Sequence, residues 1–189
     1  MPFVRQSAAF LAAIAAVAAA AQVSVPVPGS PVPQSLQTLA VVLVGAWLGP
    51  RHGASALAFY VVLGAAGVPI FADGAGGPTH LAGPTLGYLV GFVVGASLMG
   101  WWVRQTWGWG AVGAFAGGVV VHGVILLLGW ARLGALIGPA VAWETGVLPF
   151  VWGGVAKSLV AAAVWVGVRR WVDDAGLRDT VDADRPARR

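Results

Sequence analysis

From residue 6 to residue 50 this chain carries no ionisable side chain. Similar runs recur along its length. Up to Val168 the charged residues are only Arg5, Arg51, Asp73, Arg104, Arg132, Glu144 and Lys157. A soluble domain carries roughly a quarter charged residues, whereas 10% are charged here and 58% are apolar, with a mean hydropathy of +0.82. A water-facing surface cannot be built from that supply. The chain therefore reads as an integral membrane protein, and each charge must sit at a membrane edge, in a cavity or at a functional site.

A hydrocarbon layer about 30 Å thick takes roughly 20 apolar residues per helical crossing. Proline and glycine punctuation divides the chain into helices near 7–23, 36–50, 54–71, 84–103, 109–131 and 147–169. The expectation is one all-α, six-helix membrane domain over residues 1–170, followed by a charged tail, 171–189, that is solvated and disordered in the cytoplasm. Arg5 and the alanine-rich segment after it also resemble a secretory signal. Five further apolar segments favour a retained membrane helix instead.

The basic residues set an orientation. With the N-terminus in the cytoplasm, Arg5, Arg51, Arg104, Arg169 and Arg170 all fall inside, while Asp73 and Glu144 fall outside. Both termini are then cytoplasmic. Arg132 dissents, and is expected to snorkel or to pair with Glu144. This pattern accounts for the isoelectric point near 10.7 without nucleic acid as a partner. Trp101, Trp102, Trp107, Trp143 and Trp171 lie near helix ends, as interface anchors do.

The absence of cysteine excludes disulfides and thiolate chemistry. The histidines, His52, His80 and His122, have no i, i+4 pairing, so no metal or other cofactor is expected. Enzymatic chemistry has little support. Ser158 beside Lys157 points in another direction on a helix, and Gly153 to Ser158 has the wrong spacing for a phosphate loop.

Small residues form two ladders. Gly87, Gly91 and Gly95 suit packing inside the bundle, whereas Ala8, Ala12 and Ala16 on the first helix leave a flat stripe for a protein partner or for internal packing. Two loops on the outer side are organised for a ligand. One alternates prolines from Pro26 to Pro33, an extended path already short of entropy, and leads to Gln37 and Thr38 at the mouth of the bundle. The other runs from Phe71 to Thr85, with Asp73, Gly76 and Gly77, and its glycines permit close backbone approach. Thr85 also suits a helix cap. Lys157 is the sole lysine. An ammonium two to three turns inside an apolar helix costs about 2.5–3.5 kcal/mol by insertion scales, so a ligand carboxylate or a wet cavity should meet it.

These segments, in order, resemble the BioY family, the biotin-binding substrate-specificity subunits of energy-coupling-factor (ECF) transporters. The resemblance rests on Ser30-Pro31-Val32-Pro33 with Leu36-Gln37-Thr38, on Leu48-Gly49-Pro50-Arg51, and on Gly67-Val68-Pro69 with Phe71-Ala72. It continues through Gly76-Gly77, Gly83-Pro84-Thr85 with Gly87-Tyr88-Leu89, and Gly146-Val147-Leu148-Pro149-Phe150 before Gly153 and Lys157.

The resemblance implies a six-helix bundle in the cell membrane that captures biotin from outside. Its partners would be a transmembrane coupling protein, docked on the Ala8, Ala12 and Ala16 stripe, and cytoplasmic ATPase subunits. Tyr88 joins the candidate site residues on this basis. The family's Pro-Gly-Asp-x-x-Lys is Trp152-Gly153-Gly154-Val155-Ala156-Lys157 here. The lysine carries over and the aspartate does not. Asp73, backbone carbonyls or water then become candidates for the ureido group, and Trp152 becomes a candidate to stack on the ring or to anchor the interface. A biotin precursor such as dethiobiotin, another small carboxylate, and a solitary permease remain as rival readings.

Overall fold

The computed structural model describes residues 2–106 and 109–174, most of them helical. Among the described residues there are seven helices: α1 (Pro2–Gln22), α2 (Gln37–Ala65), α3 (Pro78–Ala82), α4 (Leu86–Gln105), α5 (Gly110–Ile137), α6 (Pro139–Gly146) and α7 (Leu148–Asp174). Two-residue strands β1 (Ser24–Val25) and β2 (Gln34–Ser35) pair antiparallel and close the proline-rich loop. Three of the helices, α4, α5 and α7, are long and apolar enough to cross a membrane, and α1 carries a shorter apolar stretch over 6–22. Helices suit that solvent because each satisfies its own backbone polar groups. The expected disorder of the tail beyond Asp174 lies outside the described residues.

The two helices expected at 36–50 and 54–71 are the arms of α2. Gly49, at φ 78° and ψ −178°, breaks the helix in a conformation costly to other residues, and Pro50 follows without an N–H to donate. The arms fold back on one another. A Cβ on Gly53 would lie 3.2 Å from Gly45 Cα, and the Gln37 amide donates to Tyr60 Oη at 2.7 Å.

The second arm ends at Ala65, not near residue 71. Gly67 (φ 104°) donates to the Gly64 carbonyl and Val68 to that of Leu63, a Schellman stop. Two further differences have the same kind of cause. Gly77-Pro78 and Gly138-Pro139, read as loop, start the short helices α3 and α6 with proline in the first turn, where its missing N–H costs nothing. Helix α5 runs past Arg132 to Ile137. The arginine does not pair with Glu144, which is exposed; its guanidinium donates to the carbonyls of Ala82 (Nη2) and Gly83 (Nε, 3.4 Å).

Helix α4 packs between α2 and α5, with α7 beyond α5 and α1 on the far side of α2. Glycines on two sides of α4 make this possible. A Cβ on Gly100 would strike the Gly49–Pro50 backbone, and one on Gly91 would come within 2.9 Å of Ile125 Cα. Gly95 is the mildest case, its Cβ meeting Val121 Cγ1 at 2.9 Å. Gly95→Ala should therefore cost about 1–3 kcal/mol through overpacking. Thermal unfolding in detergent checks this, with a melting point several degrees lower expected and an unchanged one arguing against such close packing.

On α1, Ala13, Ile14, Val17 and Ala21 are buried against the bundle, while Ala8, Ala12 and Ala16 are exposed on the opposite face. The loops gather at one end of the molecule. There Gln22 Nε2 donates to the Phe71 carbonyl at 3.2 Å, Ser24 Oγ donates to Asp73 Oδ1, and Arg132 holds the 82–83 backbone. The opposite end is the Gly49–Pro50 turn, with the Arg104 guanidinium lying against Gly49.

Candidate functional site

Beneath the gathered loops lies a cavity of about 70 Å³. Leu89 and Phe92 of α4, Ile125 and Leu126 of α5 and Phe150 of α7 supply its apolar wall, and Val32 to Ser35, Phe71, Ala72 and His80 cover it. An apolar enclosure with a few converging polar groups is the usual form of a small-molecule site.

Lys157 reaches this cavity from α7. Its Nζ donates to the Ser35 carbonyl at 2.6 Å and to Thr38 Oγ1 at 3.3 Å. Both partners are neutral, so neither compensates the charge, and an ammonium has three hydrogens to give. Thr38 takes part because it lies in the first turn of α2, which lines the cavity. Gln37, one residue earlier, is 5% exposed and bonded at both ends of its amide: Ser35 Oγ donates to its Oε1 at 2.9 Å, its Nε2 donates to Tyr60 Oη, and Tyr60 donates to the Ile70 carbonyl at 2.7 Å. That chain ties the start of α2 to the loop after its end. It leaves the Gln37 amide orienting the mouth of the cavity.

Tyr88 lines the cavity with its ring, while its hydroxyl donates to the Gly146 carbonyl at 2.8 Å and fixes the α6–α7 junction. Thr85 lines the cavity too. Its Oγ1 makes no helix cap but lies 3.0 Å from His80 Nε2. His80 stacks on Phe71 at 5.0 Å, and burial pushes its imidazole below the ordinary histidine value.

Four of the expected site residues, Asp73, Gly76, Gly77 and Trp152, do not line this cavity. Asp73 does not line the cavity. It stands exposed in an open outer groove that also holds Gly76 and Pro31, and Ser24 latches its carboxylate, joining the two loops. Gly77 lines neither space; its N–H donates to the Gly64 carbonyl at 2.7 Å and ties the loop down. Trp152 is 80% exposed on the outside of α7, so it cannot stack on a guest in the cavity. The turn of α7 from Trp152 to Lys157 faces the bundle with Gly154 and Lys157 and points Trp152 away.

Residues that sequence reasoning did not single out are Ser35, His80 and His122. Ser35 contributes through its backbone, which no side-chain pattern reveals. His122, 6% exposed on α5, lines the cavity against Gly154. Its one legible signal was a polar residue inside an otherwise apolar span, the same signal that marked Lys157.

Fold and cavity define the class: a bundle of helices, three of them long and apolar enough to cross a membrane, around a small enclosed cavity. It superposes with a TM-score of 0.80, at 20% identity, on a crystal structure described as the S-component for biotin from an ECF-type ABC transporter, covering 89% of this chain and 93% of that one. The chain belongs to the BioY family, whose model matches residues 3–174. It is 37% identical to the biotin transporter BioY of Thermotoga maritima over 147 residues, 76% of this chain and 85% of that protein. The probable biotin transporter BioY of Pyrococcus horikoshii is 35% identical over 151 residues, 80% of this chain and 88% of that protein. The family is one of transporters, not of enzymes.

Proposed function

We propose that this chain is the substrate-specificity subunit of an ECF-type transporter and that it binds biotin in the cavity under the loops. The observation that carries this reading is Lys157, an ammonium held only by neutral oxygens inside an apolar enclosure. A carboxylate guest supplies the missing charge, and the apolar wall suits the bicyclic ring and valeryl chain. Family membership and the names of the relatives support biotin over other carboxylates.

The loop end faces the outside and the Gly49–Pro50 turn faces the cytoplasm. The two arms of α2, with α1, α4, α5 and α7, then make six crossings, with both termini cytoplasmic in the plasma membrane. Arg51 and Arg104 lie at the inner end, as positive-inside topology requires. ATP hydrolysis belongs to partner ATPase subunits, linked through a transmembrane coupling protein that docks on the exposed alanine face of α1.

Titration calorimetry of the purified protein with biotin, biotin amide and dethiobiotin tests the reading. Biotin should bind, and the amide, which lacks the anionic end, should bind at least about tenfold more weakly. Equal affinity for acid and amide would remove the role of Lys157. A second reading, a subunit for a biotin precursor, draws on Gly154 standing where the family resemblance implies an aspartate; tighter binding of dethiobiotin than of biotin would favour it.

A further inference from the structure

The buried ring of His122 has one committed nitrogen and one open one. Nδ1 lies 2.8 Å from the Gly118 carbonyl, which can only accept, so Nδ1 carries the hydrogen. Ser158 Oγ, 3.1 Å from Nδ1, spends its own hydrogen on the Gly154 carbonyl at 2.8 Å and is left to accept from the ring. Two acceptors therefore hold one N–H and set the tautomer of the neutral imidazole. Nε2 then presents a lone pair. It is fully buried and is the one buried side-chain polar atom without a partner among the described residues. A group of that kind is costly unless something completes it.

Gly154 eases this placement. A Cβ there would lie 3.3 Å from His122 Cβ and Cδ2, a contact tight enough to push the ring by a few tenths of an ångström, so glycine leaves the imidazole its space at the cavity wall. Of the other polar side chains lining the cavity, Gln37 Oε1 accepts from Ser35, Thr38 Oγ1 accepts from Lys157 and Thr85 Oγ1 meets His80 Nε2, while Gln34 is only half-buried, unlike the enclosed His122 nitrogen. The cavity thus offers a cation for an anion and an unclaimed acceptor for a donor. Biotin with its carboxylate ionised has only two donors, the ureido N–H groups.

We propose that His122 Nε2 accepts a ureido N–H of the bound guest and is a specificity-determining residue of the site. The assignment rests on the biotin reading above. It gives Gly154 a role as the space-maker for the imidazole.

Calorimetry should compare wild type, His122→Ala and His122→Gln with biotin and with the two lactam analogues in which one or other ureido N–H is replaced by CH2. Wild type should bind biotin about 10- to 100-fold more tightly than the lactam missing the contacted N–H. His122→Ala should lose about that factor for biotin and no longer distinguish that lactam. His122→Gln, whose amide oxygen can accept, should recover part of the loss. If wild type binds biotin but does not discriminate against either lactam, the assignment is overturned, and that comparison stands even if both variants misfold. Unchanged biotin affinity in a folded His122→Ala overturns it equally. No biotin binding by wild type, with another carboxylate bound instead, would sink the biotin reading itself.

Discussion

Lys157→Ala should weaken biotin binding by about 30-fold to several thousandfold. Breaking a buried, hydrogen-bonded charge pair costs about 2–5 kcal/mol, and each 1.4 kcal/mol is a factor of ten. The loss should depend on the guest's charge. Biotin amide, already deprived of the anionic end, should bind the variant nearly as well as it binds wild type. Removing the ammonium also leaves the Ser35 carbonyl and Thr38 hydroxyl without their donor, so some affinity change from a looser mouth is expected for both ligands. The double difference isolates the charge. Calorimetry with the four combinations measures it, and parallel losses for acid and amide would mean that Lys157 only braces the loop.

Ala12→Leu should abolish co-purification of the coupling protein while leaving biotin affinity within about twofold of wild type. Ala12 is exposed, and the neighbouring Ala13, Ile14 and Val17 face the bundle. A leucine at residue 12 therefore disturbs nothing inside this chain. Across a close helix–helix interface the same side chain holds the backbones apart, and in lipid, tight packing of small residues supplies much of the association. An intact complex with Ala12→Leu would place the docking surface elsewhere. Lost biotin binding would show instead that the substitution reaches the bundle.

Much of the fold was legible because lipid makes strong demands. Long uncharged runs located the spans, and Gly49-Pro50 marked the reversal between the arms of α2. The glycines of α4 were readable as packing residues, and Gly91 and Gly95 do lie against α5. Helix ends were less legible. The Schellman stop at Gly67 depends on a backbone conformation that many glycines never adopt. Arg132 seemed to end α5 because nothing in the sequence showed that carbonyls 49 and 50 residues earlier would receive it.

The site divided along the same line. Lys157, Gln37, Thr38, Thr85 and Tyr88 stand out by residue type in apolar surroundings, and all line the cavity. Asp73 stood out equally and lies outside it, because an acid in a loop is as useful for latching Ser24 as for holding a ligand. Ser35 offers its own carbonyl to a lysine far along the chain, and the tautomer of His122 is set by the Gly118 carbonyl one turn before it together with the Ser158 hydroxyl on α7. Only the folded molecule discloses such pairings.

The grip of Lys157 on Ser35 has a consequence for energetics. The ammonium donates to the chain's own backbone, at the strand that closes the proline-rich loop. A carboxylate that meets Lys157 shares or replaces this main-chain oxygen, so measured affinity is the gain over a contact already made. The cation that would hold the guest is thereby tied to the strand at the entrance.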